Sequence, residues 1–359
     1  MTLLSRHVPR RLRLLALALP AAAAIAPSMG ASAGPAAGVN PTHVVPHVMK
    51  SLSNVLHSGP PAAGPPAGSN LLSYQSAAAP IESTATVYVI FWGAQWQVGW
   101  SDVSPSGGIY SSGQAQTYIT DYFKYVGSTA TAWNATTTQY CSGVAVGSTS
   151  CSGGTHITNP PVYGGSWVDT TSPPPPTLVP DNCAALVCLV PGSTLDSANL
   201  LAAEALRAAQ HFGYNANANY MIMLPEATLT LGADALYCAY HSQAKDSSGR
   251  WISYTNMPYI NTANVGCGGN FVNSDNAYGN GFFDGYSIVA GHEFGETETD
   301  PLPFTNAAWR DSAGAENGDK CAWIAPGAAG GAHNIGPDAN GHSFAVQALW
   351  SNSAGGCAG

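Results

Sequence analysis

Ser287-Ile-Val-Ala-Gly-His292-Glu293-Phe-Gly-Glu296-Thr-Glu-Thr-Asp300-Pro301 is the stretch on which the reading of this chain turns. His292 and Glu296 are four residues apart, so a helix places them on one face, one turn apart. Glu293, beside them, stands where a general base for an activated water belongs. Pro301 biases Asp300 away from helical geometry, so the spacing predicts a helix from about Gly285 to Thr299. Glu293, Glu296, Glu298 and Asp300 could together be a solvated acidic helix end. Gly291 and Gly295 argue against that. Each costs a helix about 1 kcal/mol relative to Ala, and small residues there let another element approach closely.

A catalytic metal needs three protein ligands and an open position for water. His292 Nε2 and the Glu296 carboxylate can supply two of them. The segment Trp309-Arg310-Asp311-Ser-Ala-Gly-Ala-Glu316-Asn-Gly-Asp319-Lys-Cys321 offers three candidates for the third. Glu316 is favoured, Asp319 is next and Asp311 third; the acids not chosen would orient His292. The preference for Glu316 rests on a resemblance to the thermolysin-like gluzincins, in which a Glu follows the second helix ligand at about this distance. HExxE differs by one letter from the HExxH of zinc proteases. Two carboxylates nearly neutralise a divalent cation, which weakens it as a Lewis acid. The harder donors also move the preference from zinc towards manganese or calcium, with zinc still expected first.

His292-Glu-Phe-Gly-Glu296-Thr-Glu-Thr-Asp300-Pro301, then Trp309, then Glu316-Asn-Gly-Asp319-Lys-Cys321, resembles a series shared by certain secreted proteins. These are bacterial exported proteins and the plant phosphate-induced, or Exordium-like, proteins. Cys238-Ala-Tyr-His241, Gly266-Cys267, Phe344-Ala-Val-Gln347 and Leu349-Trp350-Ser-Asn352 are similar to other parts of that family. The resemblance is scattered over about residues 84–352 and is specific in 287–321. It implies a zincin-like fold and a metal site, without a settled activity. This chain departs from the pattern in carrying Gly295 and Glu298 inside the motif.

Other residues have commoner roles beside any functional one. His241 ends a strand candidate and could be an alternative ligand, but a structural His is the commoner case. His333 and His342 flank a Gly-rich loop and could complete a metal shell. His156 and His211 read as surface or helix-end residues. Tyr237, Tyr240, Tyr254 and Tyr259 could line a peptide or glycan groove, although strand aromatics more often pack in a core. No G-x-S-x-G occurs, so nothing supports a nucleophile-elbow hydrolase.

Working outward, Thr84 to Trp92 is rich in β-branched and aromatic residues and reads as a buried strand. Gln114 to Val126 has helical spacing, with Tyr118, Tyr122 and Val126 on one stripe. Residues 127–193 read as long ordered loops with short strands. A helix capped by Ser193 or Thr194 runs to about Phe212. Asn219–Leu224, Leu236–His241, Trp251–Ile260 and Phe344–Trp350 are strand candidates, the middle two joined by a turn containing Asp246 and Gly249. The expected class is α+β: a zincin-like fold over residues 81–359, with a mixed sheet, a metal-site helix and disulfide staples.

The ends of the chain bear on where it acts. Arg6, Arg10, Arg11 and Arg13 precede an apolar run from Leu14 to Ile25, and Ala31-Ser32-Ala33 follows. Residues 1–33 therefore read as a signal peptide. Residues 34–80, rich in Pro, Ala and Gly, read as a linker or pro-segment. Without the leader, 7 basic residues face 20 acidic ones, which argues against nucleic acid as a partner. Eight Cys in an exported chain favour disulfides, expected as 141–151, 183–188, 238–267 and 321–357. The expectation is a secreted, extracellular monomer with no membrane contact once the leader is gone. It would be a zinc-dependent hydrolase, foremost a peptidase, acting on a peptide or a cell-wall polymer. The alternative is a non-enzymatic extracellular or wall-associated binding protein with a structural or degenerate metal site.

Overall fold

The computed structural model describes residues 48–50, 70–127, 132–171, 178–179, 200–230, 233, 237–259 and 264–359. The expected leader, most of the expected linker, the Cys183–Cys188 pair and the Ser193 or Thr194 cap lie outside them. Six strands form one mixed sheet: β1 (Val48–Lys50), β2 (Thr86–Trp92), β3 (Tyr163–Asp169), β4 (Ala218–Met223), β5 (Tyr237–Lys245) and β6 (Trp251–Met257). Their order is β1-β5-β6-β4-β2-β3. β3, β2, β4 and β6 run parallel. β5 is antiparallel to β6, and β1 to β5.

Alternation along the strands sorts side chains between two cores. Val87, Val89 and Phe91 of β2, with Met221 and Met223 of β4, join a cluster on one face. Ile90 and Trp92, with Tyr220 and Ile222, join the other. Helix α1 (Ser112–Val126) and helix α3 (Asp284–Thr299) contribute to the first cluster. Helix α2 (Leu200–Phe212) covers the opposite face through Leu201, Ala205 and Ala208. Because both faces are covered, β4 is buried at all six of its positions.

α1 begins at a capping box, with the Ser111 side chain accepting from Gln114 N and the Gln114 side chain accepting from Ser111 N. Its stripe of Tyr118, Tyr122 and Val126 is buried as the spacing predicts. α3 starts and stops within a residue of the expected limits, and all 16 of its residues are buried. Its acids are therefore not a solvated end. The glycines account for how closely it is packed. A Cβ on Gly291 would lie 2.5 Å from Tyr122 Oη, and one on Gly295 would lie 2.8 Å from Leu349 Cδ1. The β5–β6 hairpin turns through Asp246 and Gly249, whose φ of +84° suits glycine.

Several expectations change. The loop-like 127–193 region contains the seven-residue strand β3, whose Gly-rich sequence Tyr163-Gly-Gly-Ser-Trp-Val-Asp169 carries little strand signal. It forms at the sheet edge through its register with β2. Phe344–Trp350 is two strands, Phe344–Val346 and Leu349–Ser351, in separate pairs. Residues 70–80 are not linker: Leu72, Tyr74 and Ala79 are buried with Trp309 and Trp350. Met49 of β1 is also buried. Tyr237, Tyr240, Tyr254 and Tyr259 all lie in the core instead of lining a groove.

Disulfides Cys141–Cys151, Cys238–Cys267 and Cys321–Cys357 form as expected. They indicate an oxidising environment. Among the described residues no helix is long and apolar enough to cross a membrane.

Gly291→Ala should destabilise the chain even though Ala is the better helix former. The overpacking cost of about 1–3 kcal/mol exceeds the gain of about 1 kcal/mol in propensity. Tyr122→Phe removes the atom that the new methyl would meet, so the double variant should recover much of the loss in denaturant melts. A second expectation concerns Glu204 in α2. Burial raises its carboxyl to about 7 against the pull of Arg207, and Asp169 adds to the rise. A carboxyl held above its ordinary value of 4.5 binds its proton more tightly in the folded chain. Its contribution to stability is full below that value and is lost as pH rises to about 7. Glu204→Gln should remove that component, measured as the difference between the two pH–stability profiles.

Candidate metal centre

Three pieces of chain converge beneath the sheet. α3 carries His292, Glu293 and Glu296. β5 presents His241 on the same face as Ala239, while Tyr240 turns to the opposite core. The loop 316–319 lies against the helix and is held there by its backbone and by the Asn317 side chain. Asn317 Nδ2 donates to Gly295 O at 2.8 Å, and Asp319 N donates to Glu296 Oε1 at 2.9 Å. Trp350 N donates to Asn317 O at 2.8 Å, and the Cys321–Cys357 disulfide ties the loop's end to the C-terminal strand pair. Gly318 is the point of closest approach. A Cβ there would lie 2.9 Å from both His292 Nδ1 and Glu296 Oε1.

The donor atoms form two groups that share Glu296. His292, Glu296 and Asp319 place one atom each within 4.8 Å of one another, and so do His241, Glu293 and Glu296. In the first group, His292 Nε2 lies 3.0 Å from Glu296 Oε1 and 4.0 Å from Asp319 Oδ1. In the second, His241 Nδ1 lies 3.3 Å from Glu293 Oε2 and 3.4 Å from Glu296 Oε2. His292, Glu293, Glu296 and His241 have no solvent exposure. Asp319 keeps 23% of its side chain exposed and is the member that reaches solvent.

The resemblance to the gluzincins favours Glu316 as third ligand, but the structure groups Asp319 with His292. Glu316 is turned towards His241 Nε2 at 3.6 Å and Arg310 Nε at 3.7 Å. Asp311 is taken by Lys320 Nζ at 3.0 Å and by the backbone of Ala313 and Ala315. His241, read as structural, instead faces three carboxylates. His333 meets Gly331 O, and His342 stacks on Tyr278 beside Asp338. His156 bonds Thr138 O, and His211 stacks on Trp167.

Gln347, which the resemblance includes without a role, orients the histidine. Its Nε2 donates to Gly318 O at 2.8 Å, so its Oε1 is left as acceptor, 3.2 Å from His292 Nδ1. His292 therefore carries its proton on Nδ1 and turns Nε2 inward. The available signal was a polar residue between two buried strands, at the position where the chain breaks from one pair to the next.

Charge decides how the cluster is held. Burial disfavours a charged His241 and a charged His292, but the facing carboxylates outweigh it. Glu293 and Glu296 raise His241 to about 9. Glu296, with Glu293 and Asp319, raises His292 to about 10. Burial pushes Glu296 up, yet His292 and His241 hold it below the ordinary carboxylate range. For Glu293 and Glu316 burial dominates and raises both. Burial and the Glu296 charge raise Asp319 to about 7. His292 Nε2, Glu293 Oε1 and Glu296 Oε2 are buried without a hydrogen-bond partner. Leaving such atoms unmade costs about 1–3 kcal/mol each, and more for charged groups. A divalent cation held by His292, Glu296 and Asp319 would satisfy His292 Nε2, so the residues fit a metal.

Comparison of the chain with protein-family models, curated proteins and solved structures finds no match.

Gln347→Leu should weaken zinc binding about 10- to 100-fold, the usual effect of losing a residue that orients a ligand. Isothermal titration calorimetry reads this directly. Unchanged affinity would detach Gln347 from the site.

Proposed function

We propose that this chain is an exported metal-dependent hydrolase that cleaves peptide bonds, built on a zincin-like placement of α3 against the sheet. The observation that carries the reading is the convergence of His292, Glu296 and Asp319 donor atoms within 4.8 Å, with Glu293 buried beside them. The likeness of residues 287–321 to the secreted HExxE proteins supports it. Zinc is the first choice of ion, and manganese or calcium suit the carboxylate-rich donors.

When bound, the ion supplies Lewis acidity, polarising a carbonyl and acidifying water. The protein does the rest. Gln347 keeps His292 in one tautomer. Asp319 N fixes the Glu296 carboxylate from outside, while the Gly318 backbone seals that side. Glu293, held above the ordinary carboxylate range by burial, is matched to taking a proton from water and passing it to a leaving amine. Asp319 marks the side from which substrate reaches the centre.

A second reading has its own observation. Four donors without solvent exposure describe a closed site, and closed sites are structural. The chain would then be a wall- or partner-binding protein stabilised by its ion.

The two readings divide on one variant and one measurement. Elemental analysis of the purified chain should find metal. Glu293→Gln should keep the His292 ion and lose chelator-sensitive peptide cleavage by about 100-fold or more. Retained cleavage in that variant overturns the mechanism. Metal without cleavage of a broad peptide library by the unaltered chain leaves the structural reading.

A further inference from the structure

We infer that Glu296 bridges two cations, one held with His292 and Asp319 and a second held with His241 and Glu293. The inference rests on the metal reading proposed above and adds a second ion to it.

The two oxygens of Glu296 address different histidines from different elements. Oε1 lies 3.0 Å from His292 Nε2 and accepts from Asp319 N. Oε2 lies 3.4 Å from His241 Nδ1 and has no hydrogen-bond partner although buried. A carboxylate that offers one oxygen to each of two donor groups has the form of a bridge. The spacing in the second group is also that of ligands. Tetrahedral bonds of 2.0–2.1 Å put donors about 3.3–3.4 Å apart. His241 Nδ1 lies 3.3 Å from Glu293 Oε2 and 3.4 Å from Glu296 Oε2.

Both histidines are oriented from behind, as metal-binding histidines are. His292 Nδ1 faces Gln347 Oε1, and His241 Nε2 faces Glu316 Oε2. With Nδ1 directed at the ion, the proton of His241 sits on Nε2, towards the Glu316 carboxylate. Arg310 pairs with Asp300 at 2.6 Å and lies 3.7 Å from Glu316. In the bridged arrangement Oε2 of Glu293 faces the second ion and Oε1 stays available to a proton. The competing account is a metal-free pair between protonated His241 and Glu293.

The test uses the intact chain, stripped with chelator and loaded with Mn²⁺ alone. After removal of free ion, elemental analysis should find two manganese per chain. Low-temperature electron paramagnetic resonance should show an exchange-coupled pair, because bridged ions lie about 3.5–4 Å apart. His241→Ala should bind one ion and give the uncoupled spectrum. His241→Gln, which keeps more of the volume, serves if the Ala variant does not fold. One uncoupled ion in the unaltered chain overturns the bridge and leaves the single-ion site standing. Two ions retained in a folded His241 variant also overturn it. No bound ion removes both readings.

Discussion

The contact between Glu296 and His292 is the constraint around which the rest of this molecule is arranged. A carboxylate with no solvent exposure pays a desolvation penalty of several kcal/mol unless its charge is met close by. Here it is met by two histidines, one from its own helix and one from β5, and by the amide of Asp319. Holding all of these requires that α3 be buried on every side. That in turn requires glycine at 291 and 295, where α1 and the C-terminal strand pair press against it.

A helix buried on every side usually reads as uniformly apolar. α3 does not. Ile288, Val289 and Phe294 join the sheet core, while His292, Glu293, Glu296 and Glu298 are buried among polar groups. The loop 316–319 makes this tenable by covering the polar side with backbone groups and the side chains of Asn317 and Asp319. Gly318 can lie against His292 because it lacks a Cβ, and the disulfide at Cys321 limits how far the loop can drift. The metal-free cluster therefore rests on charged histidines. Cation binding would exchange their protons for the ion, so the same residues serve either state.

Much of the framework was legible before any coordinate. The helix limits of α3 follow from the position of Pro301 and the 3.6-residue period. β2, β4, β5 and β6 follow from their β-branched and aromatic content. Three of the four expected disulfides are seen, and the fourth lies outside the described residues. β3 was not legible, because a Gly-rich edge strand takes its form from its neighbour. Nor was the burial of residues 70–80, which depends on Trp309 and Trp350, hundreds of positions away.

The candidate site shows the same division. Local sequence determined that His292, Glu293 and Glu296 share a helix, because residue spacing fixes which side chains lie one turn apart. It also supplied the acids at 316 and 319 as candidates. Only the tertiary structure decided that Asp319, and not Glu316, stands with His292, since the path of the loop over Gly318 settles which acid faces the helix. Only it placed His241 and Gln347 against the helix. They lie 51 and 55 residues from His292 along the chain, and no pattern within the motif can specify a contact closed by folding.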